Sequence, residues 1–140
     1  MINKFKKAVL ALLFISPTTA VIANEKLEDY GMGNMKDGVL HVSAVEASEL
    51  LNNDANIVVL DVRTTEEYAQ MNIRDHINID YYSDDFQERL SELDKEQVYL
   101  LHCGSGGRSG NTIPTMSDLG FENVIHLDGG TNAWTRAGLE

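Results

Sequence analysis

The amino-acid sequence predicts an α/β domain of three layers, in which helices cover both faces of a mostly parallel sheet. Segments with the apolar pattern of strands alternate along the chain with segments of helical periodicity. The runs over 57–60 and 98–101 are continuously apolar, which is typical of parallel strands buried on both faces. With 140 residues, the chain is long enough for one such domain.

The first 23 residues have the pattern of a cleaved signal peptide. Three lysines within the first seven residues form a positive segment, and a short apolar stretch over 8–15 follows it. A membrane-spanning helix needs ~20 mostly apolar residues, whereas the stretch over 8–23 is shorter and contains serine, proline and threonine. We therefore expect cleavage after Ala23 and export of the protein to the periplasm or out of the cell.

Residues 24–38 are polar, acidic and rich in glycine, so we expect a flexible N-terminal arm before a folded domain over 39–140. Cleavage would leave 117 residues with eight basic and 22 acidic side chains, a formal charge of about −14. Such a surface repels nucleic acid and anionic membranes, which we exclude as partners. It also repels an anionic substrate at long range, so an anion site must rely on local donors.

Apolar periodicity and capping residues predict the elements of the domain. Ser43 and Glu46 form a capping box at the start of the first helix, and Thr64 or Thr65 caps the second. Gly120 is expected to end the fourth helix. The expected strands are 39–42, 57–60, 77–79, 98–101 and 123–127, and the expected helices include 44–51, 66–69, 84–93, 109–119 and 133–134.

Pro114 interrupts the helix expected over 109–119. Proline has no amide hydrogen, and its ring crowds the preceding helical turn. Pro114 therefore lies either in the first turn of a helix that starts late or at a kink.

The residues with the clearest chemical signal follow the strand over 98–101. Ligands of parallel sheets bind where strand ends meet helix N-termini, and glycines let successive amides face one anion. Cys103, beside such amides and a helix N-terminus, would be stabilised as the nucleophilic thiolate. Arg108 adds a planar cation that can bind an oxyanion. The expected binding loop is Gly104, Ser105, Gly106, Gly107, Arg108 and Ser109.

Cys103 is the single cysteine of the chain. Small exported domains normally use cysteines in disulfide pairs, so the unpaired thiol favours a catalytic cysteine over a small buried hydrophobic residue. The histidines show no metal-ligand spacing, and we expect neither a metal ion nor an organic cofactor. These histidines are His41, His76, His102 and His126.

Three blocks of sequence occur in a specific order and spacing. They are Asp61-Val-Arg-Thr-Thr-Glu-Glu-Tyr68 with Ile77-Asn-Ile79; Cys103-Gly-Ser-Gly-Gly-Arg-Ser109; and Gly120-Phe-Glu-Asn-Val124 with Leu127-Asp-Gly-Gly130, Ala133-Trp134 and Ala137-Gly138. Over 39–140 the chain thereby resembles a single-domain rhodanese (thiosulfate sulfurtransferase-like), close to the exported phage-shock type. The resemblance implies a five-stranded, mostly parallel sheet flanked by helices.

The resemblance also implies an activity. Cys103 would take a sulfane sulfur from thiosulfate or a similar small anionic donor, carry it as a persulfide and pass it to cyanide or a thiol. The amides of 104–109 would hold the persulfide, and Asp61 and Arg63 would support the wall of the site or form a simple ion pair. Gly104 stands where many rhodaneses have a large or charged residue, which leaves the identity of the donor open.

Two other functions are compatible with this loop. Cysteine phosphatases have five residues between cysteine and arginine, whereas this chain has four between Cys103 and Arg108. The shorter ring of amides suits a single sulfur atom better than a phosphoryl group, whose oxygens need a wider site. The third possibility is a non-catalytic rhodanese-like module that binds a partner or senses oxidants through Cys103, although inactive members typically lose the cysteine.

Overall fold

The expected alternation of strands and helices is present in the computed structural model, which describes residues 25–140. The signal peptide expected over 1–23 lies outside the described residues. Within the part that is described, no helix is both long enough and apolar enough to span a lipid bilayer.

Six strands within residues 25–140 form one sheet in the order β1-β2-β6-β5-β3-β4. They are β1 (Asn34–Lys36), β2 (Val39–Val42), β3 (Val58–Asp61), β4 (Ile77–Asn78), β5 (Tyr99–His102) and β6 (Val124–Leu127). The last five pair in parallel, and β1 pairs antiparallel with β2. The expected α/β fold with five mostly parallel strands is thus confirmed, and β1 adds an antiparallel strand at one edge.

The helices cover the sheet between and after these strands. They are α1 (Ala44–Asn53), α2 (Thr65–Gln70), α3 (Phe86–Ser91), α4 (Gly107–Asp118) and α5 (Gly130–Arg136). The expected capping box of α1 is present, since Ser43 and Glu46 each accept the other's backbone N–H. Thr64 rather than Thr65 caps α2. α3 is shorter than the helix expected over 84–93, because the chain forms turns on either side of it.

α4 contains Pro114 in its interior. The helix begins at Gly107 rather than at the expected Ser109, because Gly106, with a φ of +104°, turns the chain directly into it. A late start that would place Pro114 in the first turn is therefore wrong. Pro114 lies on the exposed side of α4, where water can reach the carbonyl of Gly110 that proline leaves without its helical donor.

The segment expected to be a flexible arm packs against the domain instead. Residues 25–28 are helical, and Leu27 is fully buried in the same cluster as Leu50 and Trp134. The Tyr30 hydroxyl donates to a carboxylate oxygen of Asp54 at 2.8 Å. The sequence gives no periodic signal here, because Leu27 is the one fully buried residue of the segment, and Tyr30, Met32 and Met35, which also pack against this cluster, are irregularly spaced.

Two apolar clusters lie on opposite faces of the sheet and account for its burial. On one face Leu100 of β5 shares a cluster with Leu50 of α1 and Trp134 of α5. On the other face Leu101 shares a cluster with Leu90 of α3 and Met116 of α4. Alternate residues of β5 therefore face opposite helical layers, and this central strand is buried along its whole length.

Candidate active site

Cys103 lies directly after β5, at the carboxyl end of a strand that pairs with β3 on one side and β6 on the other. Only 1% of Cys103 is exposed to solvent. The loop of 104–106 then leads into the N-terminus of α4. The predicted position of the site, at a strand end facing a helix N-terminus, is thus the one the fold provides.

Hydrogen-bond donors converge on the Cys103 sulfur. The Gly106 amide donates to Sγ at 3.1 Å, and the Ser109 hydroxyl lies 3.3 Å from Sγ. Burial alone would raise the pKa of the Cys103 thiol, but hydrogen bonds from the Ser109 hydroxyl and from the amides of Ser109, Gly106 and Ser105 lower it below its usual value. The positive end of the α4 dipole acts in the same direction. The site therefore favours a thiolate.

Arg108 does not face the sulfur as a free cation. Its Nη1 and Nη2 donate to the two carboxylate oxygens of Glu67 in α2, at 2.7 and 2.9 Å. The Tyr82 ring lies 5.7 Å from the Arg108 guanidinium carbon, within the range of a cation–π contact. The expectation that Arg108 helps to bind an oxyanion stays a prediction, and the structure adds that Glu67, which the sequence reasoning missed, offsets its charge.

The remaining loop residues contribute backbone rather than side chains. Ser105 and Gly107 are exposed, and Gly104 is half-buried. A Cβ on Gly104 would lie 3.3 Å from an Arg108 nitrogen, so Gly104 permits the close approach of that guanidinium.

The first turn of α5 hydrogen-bonds to the backbone of the cysteine loop. The Thr131 amide donates to the Cys103 carbonyl at 3.0 Å, and the Asn132 amide donates to the Gly104 carbonyl at 2.9 Å. A Cβ on Gly130 would lie 2.2 Å from the Cys103 carbonyl oxygen, so this residue must be glycine. From sequence we expected residues 129–130 to lead into the last helix and to serve packing, and their contact with the cysteine loop was not recognised.

Asp61 and Arg63 lie behind the cysteine, at the end of the neighbouring strand. The Arg63 Nη2 donates to Asp61 Oδ2 at 2.7 Å and to the Met71 carbonyl at 2.6 Å. Asp61 lies opposite His102 in the sheet, and its Oδ2 is 3.6 Å from His102 Nε2. These contacts are those of a buried ion pair beside His102, and support of the site wall by this pair stays a prediction.

His126 and Asp128 extend the site beyond Ser109. His126 Nε2 lies 2.8 Å from Ser109 Oγ, and His126 Nδ1 lies 2.8 Å from Asp128 Oδ1. His41 Nδ1 contacts the same Asp128 oxygen at 2.8 Å. The sequence reasoning missed this cluster because His41 and Asp128 are 87 residues apart and meet only through the pairing of β2 with β6.

Among the described residues, these three side chains are also of types that can bind metal ions. One ligand atom each from His41, His126 and Asp128 lie within 4.8 Å of one another. Two imidazoles and a carboxylate suit Zn²⁺ and similar ions. In the structure His41 Nδ1 and His126 Nδ1 each hydrogen-bond to Asp128 Oδ1, so the cluster is a hydrogen-bonded network and these residues are not assigned as metal ligands.

Comparison with known protein families and individual proteins identifies similar proteins. A model described as the rhodanese-like domain matches residues 43–137. A protein of Allochromatium vinosum named sulfurtransferase is 30% identical over 101 residues, which cover 72% of this chain and 92% of that protein. A thiosulfate:glutathione sulfurtransferase of Saccharomyces cerevisiae is 28% identical over 97 residues, which cover 61% of this chain and 70% of that protein.

Solved structures show the same likeness. The crystal structure of a rhodanese-related protein from Thermoplasma volcanium matches with a TM-score of 0.63 and 27% identity, covering 71% of this chain and 94% of that one. A rhodanese-like domain protein from Staphylococcus aureus matches with a TM-score of 0.61 and 27% identity, covering 71% of this chain and 95% of that one. Both are matched over nearly their whole length, so the likeness concerns the complete domain.

Proposed function

The chain belongs to the family of rhodanese-like domains, which includes sulfurtransferases, and we propose that it transfers a sulfane sulfur from thiosulfate or a similar donor to cyanide or a thiol. The sulfur is carried as a persulfide on Cys103. This is the activity of a thiosulfate sulfurtransferase, and it needs neither a metal ion nor an organic cofactor.

One observation carries the proposal. The sulfur of Cys103 is buried among hydrogen-bond donors, with the Gly106 amide at 3.1 Å and the Ser109 hydroxyl at 3.3 Å. Donors fixed in this way stabilise negative charge on sulfur without rearranging. The thiolate and the persulfide anion both carry that charge, so the same donors serve the enzyme before and after it accepts a sulfur atom.

The reaction has two displacement steps. In the first, the Cys103 thiolate attacks the outer sulfur of thiosulfate; a sulfur–sulfur bond to Cys103 forms, and the bond to the sulfonate sulfur breaks with its electron pair leaving as sulfite. In the second, cyanide or a thiolate attacks the terminal sulfur of the persulfide, and the electron pair of the broken bond returns to Cys103. Each step consumes one anion and releases another, so no external oxidant or reductant is required.

The surroundings of Cys103 support a small donor. The cysteine is 1% exposed, which favours a small reagent over a large one. The chain carries a formal charge of −11, which slows the approach of anions. For the acceptor we propose a thiol, as the name of the Saccharomyces cerevisiae relative indicates for that protein.

A phosphatase reaction is the alternative with a similar cysteine loop. It requires a loop wide enough for phosphoryl oxygens and an arginine that binds them. Here four residues separate Cys103 from Arg108, and two nitrogens of Arg108 are bound by Glu67. Both observations support sulfur transfer over phosphate hydrolysis.

We also propose that the protein is exported, as the phage-shock type of rhodanese is. The support is the lysine-rich start followed by a short apolar stretch and a small-residue pattern ending at Ala23. Mass spectrometry of the protein recovered from the periplasm would test this. A chain that begins at Asn24 is expected, and a protein that retains residues 1–23 in the cytoplasm would contradict export.

The test of function is a thiosulfate:cyanide sulfurtransferase assay of the purified protein beside Cys103→Ser. Mass spectra are recorded after thiosulfate alone. Turnover only in the wild type, with a mass gain of one sulfur atom on Cys103, is the expected result. A folded and reduced protein that shows neither turnover nor adduct would overturn the thiosulfate reaction, and aryl phosphates and other persulfide donors would then be compared.

A further inference from the structure

Behind the Cys103 sulfur, hydrogen bonds continue without a gap to a carboxylate. They run from Cys103 Sγ to Ser109 Oγ at 3.3 Å, from Oγ to His126 Nε2 at 2.8 Å and from His126 Nδ1 to Asp128 Oδ1 at 2.8 Å. Ser109 is fully buried and His126 is 5% exposed. The end of β5, α4, β6 and the turn after β6 therefore each place one of these four side chains in one line.

The chemistry of the groups fixes which atom can exchange a proton. The pKa of Asp128 is lowered, because hydrogen bonds from His41 and His126 outweigh the opposing effect of burial. The carboxylate can therefore only accept, so His126 Nδ1 carries a hydrogen. This leaves His126 Nε2, which faces Ser109, as the atom that gains or loses a proton.

Two placements of the hydrogen atoms give each contact between Cys103 and Asp128 one donor and one acceptor. When His126 is neutral, the Ser109 hydroxyl donates to Nε2 and the Cys103 thiol can donate to Ser109 Oγ. When His126 is protonated, Nε2–H donates to Ser109 Oγ and the hydroxyl donates to the Cys103 thiolate. Conversion from the first to the second moves one proton off sulfur and one onto Nε2, and serine remains neutral in both.

We propose that His126 accepts the proton of Cys103 through Ser109 and is held in the required tautomer by Asp128. His126 does not touch the reacting sulfur, so it is a positioning residue for the nucleophile. The inference rests on the proposed role of Cys103 and deepens it. Because the thiolate and the persulfide each carry one negative charge on sulfur in this site, His126 stays protonated through both displacement steps.

Several ionisable groups act on His126 from neighbouring elements. The pKa of His126 is lowered from its usual value, because burial outweighs the opposing hydrogen bond and charge of Asp128, and a protonated His41 on β2 would lower it further. His102 on β5 is buried and its pKa is lowered, chiefly by burial. The Cys103 thiolate is the anion that favours the imidazolium, so the two groups titrate as a coupled pair.

The test measures the ionisation of Cys103 without any sulfur donor. Rates of iodoacetamide alkylation are recorded against pH for the wild type, His126→Gln and His41→Asn. Glutamine cannot take up a proton as the imidazole Nε2 does. His126→Gln is therefore expected to raise the apparent pKa of Cys103 by about one unit, the size of one charge-assisted hydrogen bond. His41→Asn retains a donor to Asp128 and does not touch Ser109, so it is expected to shift the profile less than His126→Gln does.

A second readout separates proton transfer from support of the fold. In Cys103→Ser the imidazolium loses its anionic partner, so His126 is expected to titrate at lower pH than in the wild type by nuclear magnetic resonance. His126→Asn, which keeps a polar contact to Asp128, replaces the glutamine variant if that variant does not fold. An alkylation profile equal to that of the wild type in a folded His126 variant would overturn the proposal, as would an unchanged His126 titration in Cys103→Ser.

These outcomes are independent of sulfur transfer. If Cys103 and His126 titrate as a coupled pair but the protein does not use thiosulfate, the inference is supported and the proposed donor is wrong. Sulfur transfer with an unchanged alkylation profile would keep the proposed function and overturn the inference.

Discussion

Glu67 and Arg108, 41 residues apart in the chain, form a two-point ion pair in which both carboxylate oxygens accept from the guanidinium at 2.7 and 2.9 Å. Glu67 also accepts the Thr64 amide at 2.9 Å and so belongs to the capping box of α2. The same carboxylate therefore caps the N-terminus of α2 and fixes the loop that surrounds the Cys103 sulfur. Removing it is expected to disturb both.

Glu67→Gln is expected to lower the free energy of unfolding by about 1 kcal/mol, because a half-exposed ion pair is partly screened by water. It is also expected to slow sulfur transfer, since Arg108 is then free to move away from the loop. Urea unfolding and the sulfurtransferase assay measure the two effects. Glu66→Gln, at an exposed neighbouring position, is the matched control, and equal losses in the two variants would contradict a specific role for Glu67.

The Glu67 contribution to stability depends on pH in a direction set by its pKa. Hydrogen bonds from Arg108, opposed by burial, lower the pKa of Glu67 from 4.5 to about 2. A lowered pKa in the folded state means that the stabilisation is fully present above the ordinary pKa near 4.5 and is lost as pH falls toward 2. The stability difference between wild type and Glu67→Gln is therefore expected to be constant near neutral pH and to shrink below pH 4.5; a difference that stays constant to low pH would contradict the assignment.

Gly130→Ala is expected to damage the active site strongly. Gly130 has a φ of +56°, and an added Cβ would lie 2.2 Å from the Cys103 carbonyl oxygen. Gly138→Ala is the matched control, because Gly138 has a φ of +72° and open space around its missing side chain.

The control variant is expected to cost about 1 kcal/mol, the strain of a left-handed alanine. Gly130→Ala is expected to lose at least ~3 kcal/mol or most of its activity, because the Cys103 loop must shift. Thermal unfolding and alkylation of Cys103 distinguish the two. Equal effects of the two variants would show that the clash with the loop is relieved at no cost.

Leu27→Ala is expected to lower the free energy of unfolding by about 3 kcal/mol, the usual cost of truncating a fully buried leucine. Leu27 is 0% exposed in the cluster that contains Leu50 and Trp134. Lys26→Ala, at the exposed adjacent position, is the control. Urea unfolding that is unchanged in Leu27→Ala would restore the expectation of a loosely attached arm.

The fold was predictable because its strongest signals are local. The apolar runs that form β3 and β5, and the capping boxes begun by Ser43 and Thr64, each occupy a few consecutive residues. The position of Cys103 followed from the same reasoning, since a cysteine at the end of a buried strand is set by the strand itself.

The parts that sequence reasoning missed depend on residues brought together by the sheet. Glu67 meets Arg108 because β3 and β5 are neighbours, and His41 meets Asp128 because β2 pairs with β6. Neither the spacing nor the residue types of these pairs distinguish them from ordinary surface charges. Glu67 carried one usable signal, its place in a capping box directly after the strand next to the cysteine.

The two amides of α5 that hold the carbonyls of Cys103 and Gly104 have a consequence for protein engineering. A peptide unit has opposite poles, so fixing its carbonyl on one side aims the neighbouring amides toward the sulfur on the other. The sulfur site is therefore made by two segments of chain, and the sequence from Cys103 to Ser109 is only one of them. A transplant of that loop into another α/β protein would need the glycine pair and first turn of α5 as well.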